Sequence, residues 1–137
     1  MAATHGSQDL GKAVLRIVLG ILILLHGIAK VINGPGGIVQ MVDQAGLPSF
    51  IAYGVYIGEV LAPVLLIIGL WTRAAALVIV INMLFAVGLV HMHQLGMLNK
   101  SGGWELELQG MFLGAAVAVM LLGAGRFSVG GAGGPLN

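Results

Sequence analysis

The chain has 137 residues, 58% hydrophobic and only 8% charged, so it lacks the charged shell of about a quarter of the residues that a water-soluble domain carries. Its mean hydropathy of +1.04 suits a bilayer, and a net charge of +1 with no basic cluster excludes nucleic acid as a partner. The absence of cysteine removes disulfide exchange, iron–sulfur ligation and thiolate nucleophiles from the available chemistry.

Four apolar runs, 12–32, 49–70, 74–95 and 104–123, each reach the length of about 18 residues that crosses a bilayer as a helix. Their connections are short, so consecutive helices should be antiparallel neighbours. The predicted fold is all-α, a four-transmembrane-helix antiparallel bundle over 12–125, flanked by a flexible polar end at 1–11 and a flexible glycine-rich tail at 126–137. The first run is longer than the apolar region of a signal sequence and is followed by three more, so it reads as a retained helix.

Arg16, one turn into the first run, is expected to snorkel to the headgroups. His26 and Lys30 lie four apart near the far end and share a helix face. The breaker NGPGG (33–37) ends this helix, and 38–50 has helical spacing but is too short and polar to span, which suits an interfacial amphipathic turn, with Pro48 opening the second helix. Glu59 stands near the middle of the second run, where an ionisable group costs about 3 kcal/mol on insertion scales and must be paired, protonated or in a polar cavity. Gly54 with Gly58, and Gly110 with Gly114, have the spacing that lets helix backbones approach. Asn82 in the third run should hydrogen-bond across to another helix as a packing group.

The polar stretch 91–109 (HMHQLGMLNKSGGWELELQ) carries the densest set of reactive groups. His91 and His93 point about 200° apart on a helix, so one should face inward and the other the interface. The same holds for Glu105 and Glu107, whereas Glu105 and Gln109 share a face. Lys12, Arg16, Arg73 and Arg126 lie at one membrane face, against Lys30 and Lys100 at the other, which places both termini in the cytoplasm. His26, His91, His93, Glu105, Glu107 and Gln109 then gather in the exoplasmic half, with Glu59 reaching them from the middle.

The segments HGIAK (26–30), GLPSF (46–50), GEVLAPVLLIIGLWTR (58–73), GGWE (102–105) and GAGRFS (123–128), with His91 and His93 closing the third helix, resemble the DoxX-like family of small four-helix membrane proteins. The resemblance covers about 15–128. It departs at the end, where Ser128 is followed by Val129 and Gly130 and the acid that usually closes the motif is absent. Family membership implies a bacterial inner-membrane protein of redox character, since members are associated with quinone-linked oxidoreductase complexes, including a subunit of a thiosulfate:quinone oxidoreductase. By position the family's recurrent polar residues fall on His26, Lys30, Glu59, His91 or His93, and Glu105.

The resulting expectation is a quinone-binding subunit of a membrane oxidoreductase. Glu59, His26 and Glu105 would carry protons, while His26, Lys30, His91, His93 and Trp104 would hold the ring. Its partners would be the lipid bilayer, a lipid-soluble small molecule, and a second copy or a partner redox subunit. The main alternative is a non-catalytic assembly subunit whose glycine faces pack against a larger complex. Haem or metal ligation by the histidines is a weaker reading, because no E-x-x-H pair is present and no metal site is expected. A transporter is weaker still, since four helices leave little room for an internal path.

Overall fold

The computed structural model describes residues 2–137, with side chains from residue 4 onward, and forms no strand among them. Five helical elements follow in order: α1 (Ala2–Asn33), α2 (Gly36–Gln44), α3 (Ser49–Ile68), α4 (Thr72–Gln94) and α5 (Glu107–Leu122). Three of them, α1, α3 and α4, are long and apolar enough to cross a membrane, and α5 is a shorter apolar helix. Met1 lies outside the described residues, and 2–11, expected as a flexible end, instead continue α1. The physical reason is continuity: no proline interrupts the chain between Ala2 and Lys12, and at 1.5 Å per residue α1 runs about 48 Å, longer than the hydrocarbon core of about 30 Å.

α5 starts at Glu107, three residues later than the apolar run suggested, because the preceding loop is held by its own bonds. Leu98 and Trp104 pair as an isolated bridge, the Trp104 indole donates to the Leu95 carbonyl at 2.9 Å, and the Asn99 side chain accepts from the Ser101 and Gly103 amides. Trp104 thereby lies over Gly110, where a Cβ would come within 2.8 Å of the ring.

The core is built from Leu19 and Ile23 of α1, Ala62 and Leu66 of α3, Ala76, Ile79 and Met83 of α4, and Phe112, Ala116 and Val119 of α5. Large apolar side chains such as Leu25, Ile32, Leu84, Met111 and Leu121 stay exposed, a surface that lipid covers and water would not tolerate.

The closest helix approach is at glycines outside the GxxxG pairs. A Cβ on Gly20 would lie 2.7 Å from Ile67 and 2.9 Å from the Pro63 carbonyl oxygen, and one on Gly27 would run into the carbonyl of Glu59. Gly54 and Gly114 have open space around them, while Gly58 and Gly110 face the side chains of Asn82 and Trp104. The four-residue glycine spacings therefore do not mark backbone contacts within the chain. Gly27→Ala should destabilise the protein by about 3 kcal/mol, since a clash with backbone outweighs the roughly 1 kcal/mol of helix propensity that alanine gains. Thermal unfolding in mild detergent measures this, with Gly114→Ala, whose Cβ meets open space, as a control that should not destabilise.

At the end of the molecule far from Lys30, polar groups tie the helix termini together. Arg16 is 1% exposed and does not snorkel. Its guanidinium donates to the Leu66 and Ile67 carbonyls at 2.7 and 2.8 Å, closing the C-terminal turn of α3, and to the Phe127 carbonyl. Arg73 does the same for α5, donating to Met120 and Leu121 at 2.9 Å. Cations suit these positions because the last carbonyls of a helix are unpaired and carry its negative dipole end. The glycine-rich tail is not loose either: the Asn137 side chain accepts from the Thr72 amide at the start of α4, and the Arg73 amide donates to the Leu136 carbonyl.

Candidate functional site

Glu59 is where the sequence interrupts its own helix. Pro63 has no N–H to give the Glu59 carbonyl and its ring crowds that oxygen, so α3 widens into a π-helical turn over Ile57–Leu61. The widened turn aims the Glu59 side chain inward, where it is 3% exposed. Gly27 of α1 packs against the Glu59 backbone and brings Lys30, one turn further on, over the carboxylate.

The Lys30 ammonium donates to both carboxylate oxygens, at 2.6 and 2.5 Å. The Asn82 amide of α4 donates to Oε1 at 3.1 Å, and it can approach because Gly58 lacks a side chain: a Cβ there would sit 2.6 Å from Asn82. Three helices thus supply a carboxylate, an ammonium and an amide to one point. Such a cluster answers the cost of a charge in the membrane, since both carboxylate oxygens have a donor. The Tyr56 hydroxyl reaches the Lys30 carbonyl at 3.4 Å.

Two cavities meet at this cluster. The larger, about 350 Å³, lies between α2, α3 and α4; apart from Lys30, Glu59 and Asn82 its walls are glycine and apolar residues, among them Met41, Val55, Ile81 and Phe85. Its size and lining fit a small apolar molecule with one polar group. The smaller, about 160 Å³, is lined by His26, Lys30, Glu59, His91 and Gln109 together with Phe112 and other apolar side chains. A second π-helical turn, Val87–His91, brings Leu89 and Val90 to the first cavity and His91 to the second.

The structure therefore brings together His26, Lys30, Glu59 and His91. The His26 ring meets Phe112 edge-on, with centroids 5.9 Å apart at 78°. His91 is half-buried, and its Nδ1 donates to the Gln94 amide oxygen at 2.6 Å. His93, Glu105 and Trp104 are exposed and line neither cavity. Asn82, read from sequence as a packing group, is a direct partner of Glu59, and Gln109 lines the smaller cavity only. Among the described residues, no three of His, Cys, Asp and Glu converge as a metal-binding group.

A family model described as DoxX matches residues 11–92, a span that contains His26, Lys30, Glu59, Asn82 and His91. A Bacillus subtilis (strain 168) protein named "Putative oxidoreductase CatD" is 36% identical over 84 residues, 61% of this chain and 58% of that protein. The chain thus covers somewhat over half the length of that relative. An uncharacterized protein of Haemophilus influenzae (strain ATCC 51907 / DSM 11121 / KW20 / Rd) is 35% identical over 98 residues, 70% of this chain and 72% of that protein. No solved structure matches the chain.

Proposed function

The chain belongs to the DoxX family of membrane proteins, and we propose that it is the quinone-binding subunit of a membrane oxidoreductase, with its site at Lys30, Glu59 and Asn82. The observation that carries this is the placement of one ion pair, its carboxylate buried and its ammonium half-buried, between an apolar cavity and a more polar one. A quinone needs an apolar slot for ring and tail, a donor for a carbonyl, and a proton source beside it. The larger cavity offers the slot, the Lys30 ammonium has a third hydrogen beyond the two given to Glu59, and Glu59 is the adjacent proton carrier.

When bound, a quinone supplies two-electron, two-proton redox chemistry. The protein's part is to bind and to move protons. The walls of the larger cavity exclude water from the ring, Lys30 orients a carbonyl, and Asn82 keeps the Glu59 carboxyl fixed whichever protonation state it holds. α2 covers one side of this cavity with Ile38, Met41 and Val42, at the level where an amphipathic helix lies in the interface. A relative named as an oxidoreductase agrees with a redox role.

In this reading the chain is a four-helix bundle in the bacterial inner membrane, with α5 as the fourth crossing. Both termini are cytoplasmic, from the cluster of Arg16, Arg73 and Arg126 at one end, and the site opens to the exoplasmic half. The electron donor is then a partner redox subunit, since the chain has no cysteine for iron–sulfur ligation.

Native mass spectrometry of detergent-released protein incubated with a short-tailed benzoquinone or naphthoquinone tests the reading. One quinone per chain is expected for the natural sequence. Gly54→Leu, which grows into the open space of the larger cavity, should weaken binding at least tenfold, and Gly114→Leu should leave it unchanged. Equal binding by Gly54→Leu and the natural sequence would place the ligand elsewhere; no binding by either would leave a non-catalytic assembly role.

A further inference from the structure

We infer that the smaller cavity is a water chamber through which protons reach and leave the Lys30–Glu59 pair, with Gln109 as its positioning residue. The inference rests on the proposed site for its purpose, but the chamber and its proton traffic can be tested without any quinone.

The two cavities touch the same ion pair and differ in chemistry. The larger one is apolar apart from Lys30, Glu59 and Asn82, so it has no polar wall away from the cluster itself. The smaller one presents Lys30 and His26 from α1, Glu59 from α3, His91 from α4 and Gln109 from α5. Those are all the titratable groups that line it, and Gln109 is the one polar wall that cannot titrate.

Gln109 supplies the second observation. Its Oε1 is buried and has no hydrogen-bond partner in the protein. A buried amide oxygen left unpaired costs about 1–3 kcal/mol, so a donor from outside the chain belongs there. A water molecule occupies about 30 Å³ of liquid and needs two to four polar partners. A chamber of about 160 Å³ has room for several, and Gln109, His91, Lys30 and Glu59 offer the partners.

Position completes the argument. Gln109 lies in the first turn of α5 and His91 near the end of α4, on either side of the 95–106 loop, so the chamber sits close to one membrane face. Lys30 keeps 37% of its side chain exposed although both its bonds run to a nearly buried carboxylate. The step itself is proton transfer alone. A hydronium ion in the chamber gives its proton to the Glu59 carboxylate and becomes water, and the reverse returns the proton; no other bond forms or breaks.

The test follows the ammonium of Lys30 in protein labelled with ¹⁵N-lysine and held in lipid nanodiscs. The chain has three lysines, Lys12, Lys30 and Lys100, so the signals can be assigned by substitution. Exchange of the Lys30 ammonium protons with water should slow at least tenfold in Gln109→Leu and in His91→Phe, each of which replaces a polar wall with an apolar one. Gln109→Glu should exchange within about twofold of the natural protein, and so should Gly54→Leu, which obstructs only the larger cavity. Unchanged exchange in both Gln109→Leu and His91→Phe, or equal slowing by Gly54→Leu, would overturn the inference. Quinone binding read on the same variants separates the two proposals: Gln109→Leu should bind quinone normally, and failure of the natural protein to bind it removes the proposed function while leaving the exchange result to decide the chamber.

Discussion

Lys30→Met should unfold more easily than the double variant Lys30→Met/Glu59→Gln. Taking away the ammonium strands a carboxylate that is 3% exposed, with the Asn82 amide at 3.1 Å as its remaining side-chain donor. Breaking one side of a buried pair typically costs about 3–5 kcal/mol, whereas replacing both sides with neutral groups is often close to neutral. Glutamine is chosen at 59 because its amide oxygen can still accept from Asn82. Glu59→Gln alone should be intermediate, leaving Lys30 unpaired but able to extend its flexible stem toward either cavity or the lipid face. Thermal unfolding of the four proteins in one detergent gives the coupling energy directly. A double variant as unstable as Lys30→Met would mean that the ammonium supports the fold through contacts other than Glu59. A double variant that is stable but no longer binds quinone would show that the pair is kept for its chemistry and not for the fold.

The apolar runs made the long helices legible, because length and hydropathy alone decide whether a segment can cross a bilayer. Glu59 was legible for the same reason, as a charge in the middle of such a run, and the i,i+4 spacing put His26 beside Lys30. What the sequence did not show is which helix faces which. Asn82 and Glu59 are 23 residues apart on separate helices, and only their packing, through the gap left at Gly58, makes them partners. The start of α5 decided the rest. Read as a helix from residue 104, this segment makes Glu105 a site residue; with Trp104 and Asn99 fastening the loop and the helix beginning at Glu107, Glu105 lies outside the cavities and Gln109 lines one. One signal was present and unread: Pro63 lies four residues after Glu59, the spacing at which a proline removes the hydrogen bond to that carbonyl and opens the turn.

Arg16→Met should be among the most damaging single substitutions in the chain, costing about 3 kcal/mol or more. The guanidinium has no carboxylate partner among its hydrogen bonds; it serves carbonyls of two separate segments, the last turn of α3 and Phe127 beyond α5. Two effects oppose each other on its removal. The burial cost of a cation disappears, which stabilises, but three hydrogen bonds of a charged donor, each about 1.5–3 kcal/mol, disappear with it. The carbonyls decide the balance, because methionine offers them no donor and lipid offers none either. Arg16→Lys should recover little, since a single ammonium cannot span the two directions that the planar guanidinium reaches. The consequence is local as well as global. Arg126 is an exposed tryptic site next to Phe127, and the 123–137 segment is held on one side by Arg16. Limited trypsin digestion of the detergent-solubilised protein should therefore cut after Arg126 at least tenfold faster in Arg16→Met than in the natural sequence. Loss of thermal stability without faster cleavage would locate the role of Arg16 in capping α3 alone; unchanged stability and cleavage together would mean that the carbonyls find other donors and that Arg16 does not fasten this end of the protein.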